Sequence, residues 1–338
     1  MKVLFIGPYS YGSTSLMRIN YIKSLLNLSN CLIIDTDIPF EKTNRVFRSI
    51  GSRFKVGPLI KNINQFVFDC LMNDFAYDFI WIDKGVFLKP NLIKRLREKS
   101  RLLVHYTPDP AFTYHKSKLF YNSIELYDYC VTTKSFEIES FKNAGAKNVI
   151  YCTQGFDKQI HYPQHTLLQK DKSVSFIGHY EINRGVVIQS LIDSGIDVHI
   201  AGIKWNQFVK KNKLNNNLFY YGNGIYGSKY SEFLSSSKIC LGLISKWIPE
   251  LHTTRTMEIP ACGSVLITER NEETQSLFLN DEVLFYDDIT EVPQLVKNLL
   301  NDNLTLEKIQ KNGTTRVLKD GYDYENISKN ILLKIGLL

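Results

Sequence analysis

The stretch SVSFIGHYEINRGVVIQSLIDSGIDVHIAGI, residues 173–203, decides the fold of this chain. Its two apolar runs, SVSFIG and DVHIAGI, have the length and composition of buried strands. The segment between them, NRGVVIQSLIDSG, has apolar residues at helical spacing. A strand, a helix and a second strand in this order predict a parallel sheet that is covered by helices on both faces.

The same alternation of strands and helices runs along the whole chain of 338 residues. The other predicted strands are KVLFIG, CLIIDTD, YDFIWID, RLLVHYT, YCVTT, NVIYCT, LFYYGN, KICLGLI, SVLIT and VLFYDD. We therefore predict two Rossmann-like α/β domains, residues 1–155 and 173–338, joined by a polar linker over residues 156–172. We also allow for the last helix to pack back on the N-terminal domain, and expect a ligand in a cleft between the domains.

Composition points to a globular protein, with 44% hydrophobic and 22% charged residues. No apolar run approaches the ~18 residues that a membrane span requires. The first residues predict a strand and a turn, and they lack the cleavage site of a signal peptide. The six cysteines form no C-x-x-C pair, and most lie in apolar strands. We expect a cytoplasmic protein.

The net charge of +7 comes from the first half, because basic residues outnumber acidic ones only in residues 1–155. The densest basic segment is Arg45–Lys61, where aromatic residues are interleaved, and a second one is Lys94–Arg101. This mixture suits an anionic membrane surface or an acidic acceptor. A nucleic-acid partner is less expected because the chain has no recognisable nucleic-acid module. A solvated basic face remains the plain alternative.

Two segments of the first half follow strands and could hold a ligand. GPYSYGSTS has Gly7 and Gly12 before a helix whose N-terminus offers N–H groups to an anion, although any α/β protein needs a turn here. The DTD segment, residues 35–37, suggests a ribose-binding acid or a D-x-D metal motif. The dinucleotide glycines are missing and the position is wrong for D-x-D, so we interpret these acids as strand-end residues.

The segment LLVHYTPDPAFTYH, residues 102–115, is a stronger candidate. Its strand leads His105 and Asp109 toward a loop at the carboxyl end. Pro108 and Pro110 restrict the backbone of Asp109 to extended conformations. A rigid carboxylate at such a place can bind or deprotonate a hydroxyl group. The alternative is that Asp109 only caps the turn.

The second half places basic and acidic groups at two strand ends. Gly178 follows a strand, and Arg184 lies at the start of a helix, where a cation is unfavourable unless an anion binds. PELHTTRTMEIPACGSVLI, residues 249–267, then carries Glu250 and Glu258 on either side of one arginine. A carboxylate accepts hydrogen bonds from two adjacent sugar hydroxyls, and the backbone N–H groups at the start of the helix can face an anion. An exposed loop followed by an ordinary helix is the plain alternative.

The E-x7-E spacing followed by an Ala-Cys-Gly turn and a strand resembles the family-four-type retaining glycosyltransferases of the GT-B fold. More narrowly, FIGHYEINRG, AGIKW, YSEFLSSSKICLGL, TRTMEIPACG and LFYDD are similar to segments of the spore-maturation, CgeB-like glycosyltransferases. The resemblance covers about residues 173–333. Across the first half it is architectural, apart from the HYTPDP loop. It implies the GT-B fold, with two Rossmann-like domains facing each other across a cleft.

The resemblance also implies a function. It implies transfer of a sugar, with retention, from a nucleotide-diphosphate sugar. Together with the basic first half, it leads us to expect a glycan or lipid-linked acceptor and a role in surface polysaccharide synthesis. No metal or cofactor is expected. Glu258 would hold the ribose and Glu250 a hydroxyl of the donor sugar, while Gly12 and Asp109 would face the sugar and the acceptor from the acceptor-side domain. With Asp109 and Glu250, we also expect His105 in the catalytic set. The implied donor-binding residues are Gly12, Gly178, Arg184, Tyr221, Gly222, Tyr226, His252, Thr253, Thr254, Arg255 and Glu258.

Three other functions remain open. A nucleotide-sugar 2-epimerase shares the fold but has no need of the basic, aromatic segment Arg45–Lys61, which we expect to contact a membrane. A non-catalytic glycan- or nucleotide-binding subunit has no need of a complete set of Arg184, Arg255 and Glu258. A dehydrogenase is the least expected, because neither half carries the dinucleotide glycines.

Overall fold

A computed structural model describes residues 1–71, 76–113 and 115–338. The chain forms two compact units, residues 1–153 with 325–338, and residues 154–324. Residues 156–172, which we predicted as a linker, lie within the second unit. The C-terminal helix lies within the first unit.

The first unit is a parallel sheet with helices along its connections. Its strands are β1 (Val3–Gly7), β2 (Leu32–Asp35), β3 (Tyr77–Asp83), β4 (Ser100–Thr107), β5 (Tyr129–Thr132) and β6 (Val149–Tyr151). Its helices before residue 153 are α1 (Thr14–Leu25), α2 (Asp37–Lys42), α3 (Arg45–Phe54), α4 (Pro58–Cys70), α5 (Pro90–Glu98), α6 (Lys118–Tyr121) and α7 (Ile138–Asn143). Within the described residues, the strand order is β2-β1-β3-β4-β5-β6.

The strands of the first sheet are apolar on both faces, which explains their unbroken hydrophobic runs. Along β1 and β3, Ile6 and Ile82 belong to one core, and Phe5 and Trp81 belong to the core on the other face. The C-terminal helix contributes Ile331 to this second core. Because side chains alternate along a strand, each run supplies two cores at once.

The second unit repeats this architecture. Its strands are β7 (Lys172–Ile177), β8 (Val198–Ala201), β9 (Leu218–Tyr220), β10 (Ser237–Gly242), β11 (Val265–Glu269) and β12 (Leu284–Tyr286). Its helices are α8 (Ile182–Asp193), α9 (Asn206–Lys211), α10 (Gly227–Ser235), α11 (Thr254–Ala261), α12 (Glu272–Leu277), α13 (Val292–Leu300) and α14 (Asn303–Lys319). The C-terminal helix of the first unit is α15 (Tyr324–Lys334). The parallel strands of the second unit have the order β12-β11-β10-β7-β8-β9. The predicted strands and the two Rossmann-like sheets are confirmed.

The basic segment Arg45–Lys61 is helical, which its residue pattern did not predict. It forms α3 and the start of α4, and Gly51 is the buried residue of α3. A Cβ atom at Gly51 would come within 2.6 Å of the Leu59 side chain, so the two helices pack closely. The large apolar residues of α3 are instead exposed, including Phe54 at 61%. No helix in the described part of the chain is long and apolar enough to cross a membrane.

Two glycines fix the carboxyl edge of the second sheet. Gly178 follows β7 and Gly202 follows β8, and a Cβ atom at Gly202 would lie 2.0 Å from the carbonyl oxygen of Gly178. That carbonyl oxygen accepts a hydrogen bond of 2.8 Å from the indole N–H of Trp205. The ends of β7 and β8 therefore lie so close together that there is no room for a side chain at Gly202.

We predict that Gly202→Ala lowers the free energy of unfolding of the second unit by roughly 3 kcal/mol or more, because it adds a steric clash to an unfavourable positive φ. Gly195→Ala is the matched control, since Gly195 also has a positive φ but has open space around its Cβ position. That substitution should cost only about 1–2 kcal/mol. Urea denaturation measures both values, and equal losses would contradict the close approach.

Candidate active site

Glu258 lies in α11 with its side chain almost fully buried. The hydroxyl of Tyr230 donates a hydrogen bond of 2.6 Å to Glu258 Oε2. His161 Nδ1 accepts the N–H of Asp157, so its proton is on Nε2, which lies 4.0 Å from Glu258 Oε1. Burial and the charge of Glu258 raise the pKa of Tyr230 well above its usual value, so the phenol remains a donor. The hydroxyl of Tyr230 thus orients a carboxylate that retains lone pairs for further donors.

Arg255 lies half-buried in the first turn of α11. Its Nη2 atom is 3.6 Å from the position that a Cβ of Gly178 would occupy, which places the guanidinium beside the glycine turn after β7. Among the described residues it makes no ion pair. The first N–H groups of a helix also lack partners within the helix, so the guanidinium and the helix N-terminus present positive charge together.

Arg184 has a different environment from the one that we predicted. Its guanidinium is 2% exposed and pairs with Glu181 at 2.9 Å. It also donates hydrogen bonds to the carbonyl oxygens of His179 and Leu243. Burial lowers the pKa of Arg184 to about 10. The two terminal nitrogens of Arg184 bond within the domain, and its Nε atom is buried without a hydrogen-bond partner. Arg255 is only half-buried and is therefore the more accessible of the two arginines. The donor-binding role of Arg184 stays a prediction.

The His252 side chain is buried and ties the loop before α11 to two other segments. Its Nδ1 donates to Glu273 Oε2 at 2.5 Å, and its Nε2 accepts the N–H of Gln154 at 3.0 Å. Thr253 is the N-cap residue of α11, and Thr254 is the first residue of that helix. Both ring nitrogens of His252 are therefore bonded within the domain, and the predicted donor-binding loop offers backbone N–H groups rather than an imidazole ring.

The other predicted donor residues lie after β9. Gly222 has a φ of 84°, and its carbonyl oxygen accepts the N–H of Gly202. Tyr221 is 44% exposed, and its hydroxyl is 2.9 Å from His199 Nδ1. Tyr226 is 70% exposed at the N-cap of α10. These aromatic side chains are available to stack on a flat ligand.

Glu250 lies half-buried in the loop that follows β10, and its charge is close enough to stabilise the protonated form of Arg184. The nearby Trp247 is 59% exposed, with the His179 ring at 5.6 Å and Lys204 Nζ at 4.9 Å from its own ring. The sequence analysis did not select Trp247. A lone tryptophan after a strand carries no signal of its own until its neighbours are known.

In the first domain, Asp109 forms an ion pair of 2.9 Å with Lys84. Burial alone would raise the pKa of Asp109, but the positive charges of Lys84 and His115 outweigh it and lower the pKa. Asp109 N–H donates to Thr107 Oγ1, which in turn donates to the Asp109 carbonyl oxygen. The carboxylate is therefore ionised, and it is held by Lys84 and by the hydrogen bonds with Thr107.

Glu137 is a buried residue that the sequence analysis missed. Its carboxylate accepts the backbone N–H groups of Ala111 at 2.7 Å and Phe112 at 2.8 Å. It thereby fixes the far side of the loop that carries Asp109. The contact spans 25 or 26 residues, so only the folded sheet reveals it.

His105, which we predicted as catalytic, lies in the core and not at a surface. Its ring is fully buried, stacks on Phe120 at 4.3 Å and lies 5.3 Å from Tyr127. Its Nε2 bonds the carbonyl oxygen of Lys84 at 3.2 Å. His105 therefore supports the backbone of the residue that pairs with Asp109, and its ring cannot touch a substrate.

The turn after β1 contains Gly12, which has a φ of 79° and precedes Ser13, the N-cap of α1. The Asp35 carboxylate accepts the N–H groups of Tyr9 and Asp37 at 3.0 and 2.9 Å. Asp35 is thus a cap for this turn, in agreement with its interpretation as a strand-end residue. No cluster of three metal-ligating side chains occurs within residues 1–71, 76–113 and 115–338.

Comparison with solved structures shows the fold. HepE from Anabaena, in complex with UDP and glucose, has a TM-score of 0.70 at 15% identity, and the match covers 100% of both chains. Sucrose-phosphate synthase from Thermosynechococcus elongatus has a TM-score of 0.69 at 12% identity, covering 98% of this chain and 97% of that one. An E. coli trehalose-6-phosphate protein bound with UDP-2-fluoro glucose has a TM-score of 0.68 at 11% identity, covering 100% and 99%. The chain has the GT-B fold.

Residues 184–332 match the family model described as glycosyl transferase-like. A comparison with curated protein sequences finds no match. The predicted resemblance to GT-B glycosyltransferases is confirmed, and the narrower resemblance to the CgeB-like enzymes stays a prediction.

The buried His105 predicts a pH dependence of stability. Burial lowers its pKa from 6.5 to about 4 in the folded state. Above pH 6.5 the ring is neutral in both states. Between pH 6.5 and 4 only the unfolded state binds the proton, so stability falls as the pH falls, by up to about 3 kcal/mol at pH 4.

His105→Phe should therefore flatten the dependence of the unfolding free energy on pH between 6.5 and 4, relative to the wild type. Subtracting one curve from the other cancels the contribution of the carboxylates, because these titrate in both proteins. His165→Phe, at a half-exposed site in the second unit, is the control for loss of an imidazole. Parallel curves for His105→Phe and the wild type would refute the assignment. Urea denaturation at a series of pH values measures them.

Proposed function

We propose that this protein is a glycosyltransferase that moves a sugar from a nucleotide-diphosphate sugar to a glycan or lipid-linked acceptor. The observation that carries the proposal is the buried Glu258 carboxylate, oriented by Tyr230, on the same helix as Arg255. A carboxylate in this state suits the two hydroxyls of a ribose, and an arginine at a helix N-terminus suits a diphosphate. HepE, which shares the fold, binds UDP and glucose, and this supports the same class of donor.

The donor lies against the second domain. Glu258 accepts hydrogen bonds from the ribose hydroxyls, and Arg255 together with the first N–H groups of α11 binds the diphosphate. The exposed aromatic rings of Tyr221 and Tyr226 stack on the base. Glu250 accepts a hydrogen bond from a hydroxyl of the donor sugar.

The reaction forms a bond between the acceptor oxygen and the anomeric carbon, and it breaks the bond between that carbon and the β-phosphate oxygen. The nucleoside diphosphate leaves with the bonding electrons, and Arg255 and the helix N-terminus stabilise its charge. The acceptor attacks from the face on which the phosphate leaves and passes its proton to the leaving phosphate oxygen, so the configuration is retained without a protein nucleophile. This charge stabilisation makes the proposed reaction independent of a metal ion.

Asp109 serves the acceptor in the first domain. Because Lys84 lowers its pKa, the carboxylate is a weak base. Its role is to accept a hydrogen bond from the acceptor hydroxyl and to orient it, which is a large part of catalysis in a transfer between two bound molecules.

The helix α3 gives the protein a contact with an anionic membrane. Its exposed apolar residues are Val46, Phe47, Ile50 and Phe54. Arg45, Arg48 and Arg53 lie among them, and this combination is typical of helices that bind at the surface of an acidic bilayer. We place the protein at the cytoplasmic face of the membrane, in the synthesis of a surface polysaccharide.

Calorimetric titration with UDP, other nucleoside diphosphates and NAD tests the donor site. We expect one nucleoside diphosphate to bind, and Glu258→Gln and Arg255→Gln each to weaken it roughly 10-fold or more, because each removes a charge-assisted contact. Glu307→Gln, at an exposed site of α14, is the matched control and should bind like the wild type. Binding of NAD alone, or equal binding by all variants, would overturn the proposal. In a separate activity assay, epimerisation of the donor sugar without transfer would favour the epimerase.

The hydroxyl of Tyr230 should matter through Glu258. We predict that the wild type binds UDP more tightly than 2′,3′-dideoxy-UDP, and that Tyr230→Phe reduces this difference about 2- to 10-fold, since one hydrogen bond to the carboxylate is lost. Affinity for the dideoxy compound should hardly change. Tyr162→Phe, at an exposed site, is the control. An equal loss for both ligands would show that Tyr230 is only structural.

A further inference from the structure

A cavity of about 800 Å³ lies within the first domain, at the carboxyl ends of its central strands. Gly7, Asp83 and Thr107, which end β1, β3 and β4, form part of its lining. Residues of α3, including Arg53, form another part. Its volume falls in the range of sites for small organic ligands.

The cavity carries an excess of positive charge. Two of its acids are neutralised, because Asp83 pairs with the buried Arg18 at 2.8 Å and Asp109 pairs with Lys84 at 2.9 Å. The remaining charged residues of the lining are Asp37 and, on the basic side, Arg53, Lys55 and Lys116, with His115 beside them. Among the described residues, Arg53 and Lys116 make no ion pair.

Two lysines of this cavity have an unusual backbone. Lys55 has a φ of 57° and Lys84 a φ of 67°, in the left-handed region that lysine rarely adopts. At Lys55 this conformation ends α3, because Lys55 is the C-cap residue and its N–H bonds the carbonyl oxygen of Gly51. Lys55 Nζ donates to the carbonyl oxygen of Ser52 and lies 5.0 Å above the Phe87 ring. At Lys84 the conformation lies outside any helix and is supported by His105, which bonds the carbonyl oxygen of Lys84.

The inner wall of the cavity is apolar. Phe40, Ile63, Phe87 and Leu88 contribute to it, while hydroxyl groups of Ser49, Ser52 and Thr113 lie among the basic residues. Partial burial removes water from the ammonium group of Lys55, and this lowers the pKa of Lys55. A cation in this situation gains from an anionic ligand more than a solvated lysine does.

We propose that this cavity binds the acceptor through a phosphate group that the acceptor carries. Arg53, Lys55 and Lys116 hold the phosphate, the apolar wall covers the ring or chain next to it, and Asp109 accepts a hydrogen bond from the hydroxyl that receives the sugar. The identification of the ligand as the acceptor rests on the proposed function, whereas the phosphate site itself does not. The phosphate belongs either to a soluble sugar phosphate or to a lipid.

The test uses the full chain and two probes, glucose 6-phosphate in solution and vesicles of phosphatidylcholine with or without phosphatidic acid. Calorimetry measures the first probe, and co-sedimentation measures the second. The double variant Arg53→Gln/Lys116→Gln removes the two cations without a partner. Lys61→Gln/Lys94→Gln removes two other lysines of the same domain that do not line the cavity.

We expect the cavity variant to bind at least one probe roughly 10-fold more weakly than the wild type. The control variant should bind both probes like the wild type. A loss for glucose 6-phosphate assigns a soluble acceptor. A loss for the phosphatidic acid vesicles alone assigns a lipid-linked one where it exceeds the loss caused by Arg45→Gln/Arg48→Gln, two arginines of α3 that do not line the cavity. An equal vesicle loss would show contact of α3 with the bilayer and would count against the cavity. The proposal is wrong if neither probe binds, or if both double variants lose binding equally, which would indicate general basic charge.

UDP separates this proposal from the proposed function. The cavity variant should bind UDP like the wild type, and saturating UDP should leave binding of glucose 6-phosphate in place. If UDP displaces glucose 6-phosphate, the phosphate probe occupies the donor site and the cavity assignment is wrong. If glucose 6-phosphate binds in the cavity while no nucleoside diphosphate binds the protein, the cavity stands and the glycosyltransferase proposal fails.

Discussion

Parallel pairing brings the carboxyl ends of neighbouring strands to one edge of each sheet, and both candidate sites depend on this constraint. In the second domain it places the Gly178 turn, which follows β7, beside Arg255, which follows β10 in the chain. In the first domain it places Lys84 after β3 within reach of Asp109 after β4. Residues that are far apart in sequence therefore meet without any special connection.

Much of the fold could be predicted because buried parallel strands are continuous apolar runs. The helix α3 was not predicted, since its large apolar residues face solvent and its buried residue is a glycine. At the candidate site, local motifs were informative for Glu258 and Arg255. The motifs did not reveal the residues that bond to them, because Tyr230 lies 28 residues before Glu258 and Gln154 lies 98 residues before His252.

Burial decides which ionisable residues can act on a ligand. Arg184 and Arg255 look equivalent in the sequence. In the structure, the guanidinium of Arg184 already pairs with Glu181 and donates hydrogen bonds to two carbonyl oxygens. The sequence contained a hint, because Glu181 precedes Arg184 by three residues, the spacing at which helix side chains meet. His105 shows the same effect in the first domain, where a buried ring supports the backbone of Lys84 instead of exchanging protons.

The two domains also differ in the surroundings of the carboxylates at their candidate sites. In the second domain Glu258 is buried beside a phenol and an imidazole, so its charge is available to hydroxyl donors. In the first domain Asp83 and Asp109 are each matched by a basic partner. Two further cations at the cavity, Arg53 and Lys116, have no ion-pair partner among the described residues. Part of the positive excess of residues 1–155 thus lies in one cavity, where a solvated basic face would have spread it over the surface.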